Sequence, residues 1–311
     1  MNAGEVATRW PELPLEAWRA TCDTLHMHTQ VLGKLAVELA PPEPQLQHAA
    51  LRLTARGWET SALPAPDGSG ALVAALDLHS HEAVVEHSDG RVQRVALTPD
   101  RPVADVTREV LAAVRSLAGP VEINPTPQET PWQTPLDEDT EHATYDPGQV
   151  EAYFAAATQA ALVLGALRAP YRGRSSPVNA WWGSFDLAVS LFSGVAVEPP
   201  AGGFIMRNAG DAQQIEVGWW PGDDRYPHAA FYAYAHPAPE GFSDATLSPA
   251  SARWDASLGE FILDWDDVRA SSDPHGTALT FLRSAVAHAC LVCGWDPGLA
   301  GSLEGNPPPV V

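Results

Sequence analysis

Apolar residues recur every three to four positions across residues 13–32, where Trp18, Cys22, Leu25 and Leu32 fall on one face of an amphipathic helix. The period then shortens. Residues 34–39, 49–55, 71–78, 83–87 and 91–97 read as β-strands, broken at Pro41, Gly57, Asp67-Gly68 and Asp89-Gly90. Asp-Gly tolerates the positive φ of a two-residue turn, so Asp89-Gly90 predicts a tight hairpin and the set an antiparallel meander. Val106, Val110, Leu111, Val114 and Leu117 restore helical spacing over residues 102–117.

Pro120, Pro125, Pro127, Pro131 and Pro135 then exclude regular helix and central strand, which makes residues 120–146 a Pro-rich acidic linker. Asp146-Pro147 supplies an N-cap and a first helical residue, and Val150, Tyr153, Phe154, Ala157, Ala161 and Leu164 give the helix an apolar face. The stretch SPVNAWWGSFDLAVSLFSG, residues 176–194, opens a second set of strands that continues at 213–220, 228–235 and 260–265. Asp273-Pro274 repeats the helix-start chemistry before Ala278, Leu279, Leu282, Ala285, Val286 and Ala289. The expected fold is therefore α+β, with two similar helix–meander–helix halves at 1–119 and 147–296, the linker at 120–146 and a flexible Gly/Pro-rich tail at 297–311. The repetition suggests an internal duplication packed as one unit, although the halves match poorly letter by letter. A groove between the halves is the expected place for a site.

Composition narrows the function classes. Across 311 residues, 45% are hydrophobic, ample for a packed core, and 18 basic residues against 39 acidic ones give a formal charge of -21. Such a field repels nucleic acid and anionic membrane surfaces, so neither is expected as a partner. No basic region followed by an apolar run opens the sequence, and the apolar stretch 155–167, interrupted by Thr158 and Gln159, is too short to cross a bilayer. A cytoplasmic location is expected. Three cysteines are too few for a disulfide framework, and the CxxC of Cys290 and Cys293 lies in an apolar helical run with no second pair to complete a zinc site.

Candidate chemistry gathers in three stretches. LDEDTEHATYDP sets Asp137, Glu138, Asp139 and Glu141 beside His142 and Tyr145, the parts of an acid–base pair or of a solvated acidic loop. Trp181 and Trp182 run into Ser184 and Asp186, which reads either as a recognition surface or as a core strand with a capping Asp. In FYAYAHP, strand alternation sends Tyr232, Tyr234 and His236 to one face, and Trp219 and Trp220 echo the first Trp pair. His26 could line a pocket from the first helix, whereas His79, His81 and His87 lack a fixed acidic or thiol partner for a metal. The sequence contains no GxGxxG, GxxxxGK[ST], HExxH or GxSxG, and nothing places a histidine against Ser184 or Ser193.

Read together, LHMHTQVLGK, DEDTEHATYDP, WWGSFDLAVSLFSG, GWWPG, AAFYAYAHPAPEGF and LGEFILDWDDVR resemble the motifs of an uncharacterised bacterial family, domain of unknown function 5996, from about Trp10 to Trp295. The resemblance brings no activity. It implies that the His142 segment, the Trp182–Asp186 step and the Tyr232–His236 stripe are family motifs. It also implies that His28 stands where such proteins carry an aromatic residue, which argues against a shared catalytic role.

The expected function is binding of a small molecule, with hydrolase-like chemistry, in an aromatic and acidic groove. His142, Asp186 and His236 are the candidate catalytic groups, and Trp181, Trp182, Tyr145, Tyr232, Tyr234, Trp219, Trp220 and His26 the candidate ligand contacts. No metal is assigned and the cofactor is unknown. Two alternatives stand beside this reading: a non-catalytic interaction module with an exposed aromatic surface, and a metal-dependent enzyme using His142 with its acidic neighbours.

Overall fold

The structure is a computed structural model that describes residues 9–300. The chain divides into two units drawn from interleaved segments. Of the described residues, 16–154 and 179–185 make the first unit; 9–15, 155–178 and 186–300 make the second.

The first unit begins on helix α1, Leu15–Leu39, which buries Trp18, Cys22, Leu25, Val31, Leu32, Leu35 and Ala36 along one stripe. The strand expected at 34–39 is thus the end of this helix. Leu-Ala-Val-Glu-Leu satisfies both periods over so short a run, and Val31, Leu32, Leu35 and Ala36 together settle it for the helix. Strands β1 (Arg52–Leu53), β2 (Gly57–Glu59), β3 (Leu63–Pro64), β4 (Ala71–Asp77), β5 (Glu82–His87) and β6 (Val92–Ala96) follow. They form an antiparallel sheet in the order β1-β2-β4-β5-β6, with β3 also on β4. Gly90 takes positive φ in the β5–β6 turn, the hairpin predicted from Asp-Gly. Helix α2, Val103–Ala118, packs its apolar face on β5 and β6. Residues 119–146 carry no helix or strand, as their prolines dictate.

Helix α3, Pro147–Arg168, is shared between the units. At 22 residues it is longer than the apolar run within it, and by length and composition it could cross a membrane, which corrects the expectation that the stretch was too short. Half of its most apolar window is buried inside the protein, with Val150, Tyr153, Ala157, Ala160, Leu164 and Leu167 at core spacing.

Strand β7 (Asn179–Trp181) returns to the first unit, where Ala180 exchanges backbone hydrogen bonds with Leu51 at 2.9 and 3.0 Å. The second unit holds β8 (Asp186–Ala196), β9 (Ala212–Trp220), β10 (Ala230–His236), β11 (Arg253–Asp255) and β12 (Glu260–Asp264) in the antiparallel order β11-β12-β10-β9-β8. Short helices α4 (Phe204–Ala209) and α5 (Trp265–Arg269) accompany it, then α6 (Pro274–Val292), capped at Asp273 by a bond from Gly276 N, and α7 (Pro297–Ala300). Helix α6 packs on β9, β10 and β12, and strand alternation puts Val217, Trp219, Phe231, Ala233, Phe261 and Leu263 on one face of that sheet. Both CxxC thiols are free, and burial pushes Cys290 up to about 12, away from the thiolate that redox or zinc chemistry needs. Most of the tail expected at 297–311 lies outside the described residues.

Candidate functional site

In the first unit, one face of α1 presents His26, Gln30, Gly33 and Lys34, which are four, seven and eight residues apart and so line up along the helix. That face holds the Trp182–Gly183 turn. His26 Nε2 donates to the carbonyls of Trp182 and Gly183 at 2.9 and 3.0 Å, and Gln30 Nε2 donates to Trp182 O at 2.9 Å. Two carbonyl acceptors on one ring nitrogen place the proton on Nε2. Gln30 also clamps the linker, donating to Gln128 O at 2.9 Å and accepting from Gln128 N at 3.1 Å. Trp182 is buried, its Nε1 donates to Ala49 O at 3.0 Å, and a Cβ at Gly33 would fall inside its ring.

The turn after Trp182 forces Phe185 to φ +55°, a left-handed conformation that costs a non-glycine residue roughly 1 kcal/mol. Packing holds it there. The Phe185 ring stacks within 5.0 Å of His26, 5.1 Å of Tyr153 and 5.3 Å of Trp58.

Beside this stack stands the linker histidine. His142 Nδ1 lies 2.7 Å from Asp139 Oδ2, while Asp139 Oδ1 accepts the backbone N–H groups of Glu141 and His142 at 3.0 and 3.1 Å. Asp139 is only 1% exposed. Burial works to raise its pKa, but the His142 ring and the backbone donors outweigh that and hold the carboxylate below its usual range. Burial likewise works to lower His142, and the Asp139 hydrogen bond and charge lift it above 6.5. The signs agree: this is a carboxylate–imidazole pair that favours the charged state of both partners. It leaves Nε2 as the ring nitrogen for other partners. Trp132 meets His142 edge-on at 4.5 Å and His26 at 6.2 Å, so a half-buried indole is flanked by two half-buried imidazoles.

The pair carries a pH signature. Its His142 part stabilises the fold fully below 6.5 and is lost as pH rises through the higher folded value; its Asp139 part is lost as pH falls through the depressed carboxylate value. In Asp139→Asn the His142 titration, followed by imidazole proton NMR, is expected to drop below its wild-type midpoint. An unchanged midpoint would show that Asp139 does not hold the proton.

His28, two residues along α1 from His26, lies within the electrostatic reach of Asp139 and His142. It is 2% exposed, Nδ1 has no hydrogen-bond partner, and burial pushes it down to about 4 against the pull of Asp139. Tyr145 is buried, with its hydroxyl 3.1 Å from His81 Nδ1 and its ring edge-on to that imidazole. Trp181 sits half-buried on β7.

The remaining candidates lie in the second unit. Strand register puts Asp186, Ser190, Glu216, Trp220, Tyr232 and Tyr234 on the sheet face opposite Trp219 and Phe231. Tyr232 donates to Asp186, Tyr234 donates to Glu216 Oε1 at 2.9 Å, and Ser190 donates to Glu216 Oε2 at 2.7 Å. Trp220 meets Tyr232 edge-on at 5.5 Å, whereas Trp219 packs against Trp265 on the other face. Gly218 leaves the room Tyr232 occupies, since a Cβ there would strike its ring and the Leu187 carbonyl. Burial raises Glu216 despite its two hydrogen bonds. Burial also pushes Glu260 up to about 7, with the Asp186 and Glu216 charges adding to it. His236 ends the stripe, its Nε2 donating to Gly210 O at 3.1 Å.

The sequence-derived residues therefore form two constellations. His26, His142 and Trp182 belong to the first, and Asp186, Tyr232, Tyr234 and Trp220 to the second. Trp132, Gln30 and Phe185 complete the first without having been singled out; among the four acids of the linker, Asp139 is the partner of His142. Among the described residues no group of three or more His, Cys, Asp or Glu side chains is arranged to hold a metal ion. His79, His81 and His87 disperse to Ala55 O, Tyr145 and Ser69. A family model, described as a family of unknown function (DUF5996), matches residues 10–301. No curated protein matches the chain, and no solved structure does.

Proposed function

The chain belongs to DUF5996, a family of unknown function, and from its own side chains we propose a small-molecule-binding protein in which His142 exchanges a proton with a ligand lodged against Trp132. The observation that carries this reading is the 2.7 Å contact between His142 Nδ1 and the buried Asp139 carboxylate. A carboxylate on one ring nitrogen fixes the tautomer and orientation of the imidazole and raises the basicity of the other nitrogen. With Nδ1 so engaged, Nε2 of the half-buried ring can take a proton from a water or a hydroxyl, the step a hydrolase-like reaction requires. Trp132 supplies a flat apolar surface beside it, and His26, fixed by two carbonyls, closes its other side.

Fragment screening by NMR against the histidine ring protons tests the proposal. Bound fragments should shift His142 and His26, and Trp132→Ala should weaken them at least tenfold while the protein stays folded. His142→Gln should leave a fragment bound but abolish any turnover. Fragments that move only Tyr232 and Tyr234, or that bind Trp132→Ala undiminished, would overturn it.

A further inference from the structure

The sequence contains a single lysine, Lys34. In a chain with 17 arginines doing the work of surface cations, that one lysine is 5% exposed as a residue. Its Nζ stands 5.4 Å from the centroid of the Trp182 ring, the only contact it makes through its charge among the described residues. No carboxylate of the described residues pairs with it. Buried lysines are almost always paired, because an ammonium taken out of water is costly unless a counter-charge or hydrogen bonds replace its hydration. An indole face replaces only part of that hydration.

The surroundings exclude an ordinary anion seat. A bound carboxylate or phosphate needs several donors converging on it. The polar groups along this face of α1 are already engaged: His26 and Gln30 on Trp182 O, Gly183 O and Gln128 O, and Trp182 Nε1 on Ala49 O. What is left is one amine against an aromatic wall. Burial lowers its pKa from 10.5 to about 8, so about a tenth of it is the free nucleophilic amine at pH 7.

We propose that Lys34 is a reactive amine that takes a small carbonyl compound as a Schiff base, with Trp182 as the wall against which the imine forms. The neutral Nζ adds to the carbonyl carbon and the C=O π pair moves to oxygen. A proton passes from nitrogen to that oxygen, the hydroxyl leaves as water with a proton from solvent, and the C=N bond closes. No oxidant or reductant takes part. The proposed step uses neither His142 nor Trp132, so either reading can fail alone.

Because there is no other lysine, the experiment reads one residue. The folded chain is incubated at pH 7 with acetaldehyde and sodium cyanoborohydride, which reduces the imine to a stable ethylamine, and peptide mass spectrometry follows Lys34 against the α-amino terminus as internal control. The same reaction in 8 M urea gives the rate for the exposed side chain. Lys34 is expected to label in the folded chain at least as fast as in urea, with a rate that climbs up to about pH 8 and then levels. A lysine that is only structural would be shielded, so slower labelling in the folded chain than in urea overturns the proposal.

Discussion

Replacing Gly33 with Ala should destabilise the protein by on the order of 3 kcal/mol, although helix propensity alone predicts the opposite sign. Ala is better than Gly in a helix interior by about 1 kcal/mol, and Gly33 lies well inside α1. The added Cβ, however, would lie inside the Trp182 ring. That ring cannot step aside cheaply, because Nε1 is bound to Ala49 O and the Trp182 carbonyl to His26 and Gln30. Overpacking of this kind costs about 1–3 kcal/mol, and a displaced indole leaves a buried acceptor unpaired for about 1–3 kcal/mol more. Both exceed the propensity gain. Urea unfolding of Gly33→Ala and of Gly33→Ala in a Trp182→Ala background separates the terms: in the second, the change should become neutral or stabilising. Equal effects in the two backgrounds would mean that the ring and the helix are not coupled at this point.

Glu260→Gln should stabilise the protein at pH 8 by on the order of 2 kcal/mol and leave it nearly unchanged at pH 4, the magnitude being reduced for the partial exposure of the side chain. The sign follows from burial and from the neighbouring Asp186 and Glu216 charges, which raise Glu260 from 4.5 to about 7. Below 4.5 the carboxyl is neutral in folded and unfolded chains alike, and its contribution is whole. Between 4.5 and 7 the unfolded chain releases the proton while the folded chain keeps it, so stability falls as pH rises and the loss is complete above 7. Glutamine carries no such proton. Melting temperatures across pH 4–8.5 should therefore fall in the wild type and flatten in the variant, by about 4 °C at the alkaline end. Parallel curves for the two proteins would show that Glu260 does not carry the charge penalty of the cluster.

Much of this architecture could be read before folding because periodicity and turn chemistry act locally. The α1 stripe, the Asp89-Gly90 hairpin and the Asp273 cap each depend on neighbours a few residues away. Failures came where two periods fit one run, as at 34–39, or where pairing is a long-range matter. His142 announced itself by its acidic neighbours, but only the folded backbone turns Asp139, and not Asp137 or Glu141, toward its ring. Trp132 and Gln30 left no pattern, because one sits in a proline-rich stretch and the other is a polar residue on a buried helix face. Trp182 and Asp186, four residues apart, read as one motif; the left-handed turn at Phe185 sends them into different units.

The interleaving of segments bears on how the chain matures during synthesis. Seven residues, 179–185, complete a unit whose other members end at 154. As the chain leaves the ribosome, α1 and its sheet can form early, yet the flank of α1 that receives Trp182 stays bare until the turn at residues 182–183, well beyond the last strand of that sheet at Ala96, has cleared the exit tunnel. Through that interval His26, Gln30 and Lys34 on this face of α1 lack the turn that only the protein's own later sequence can supply.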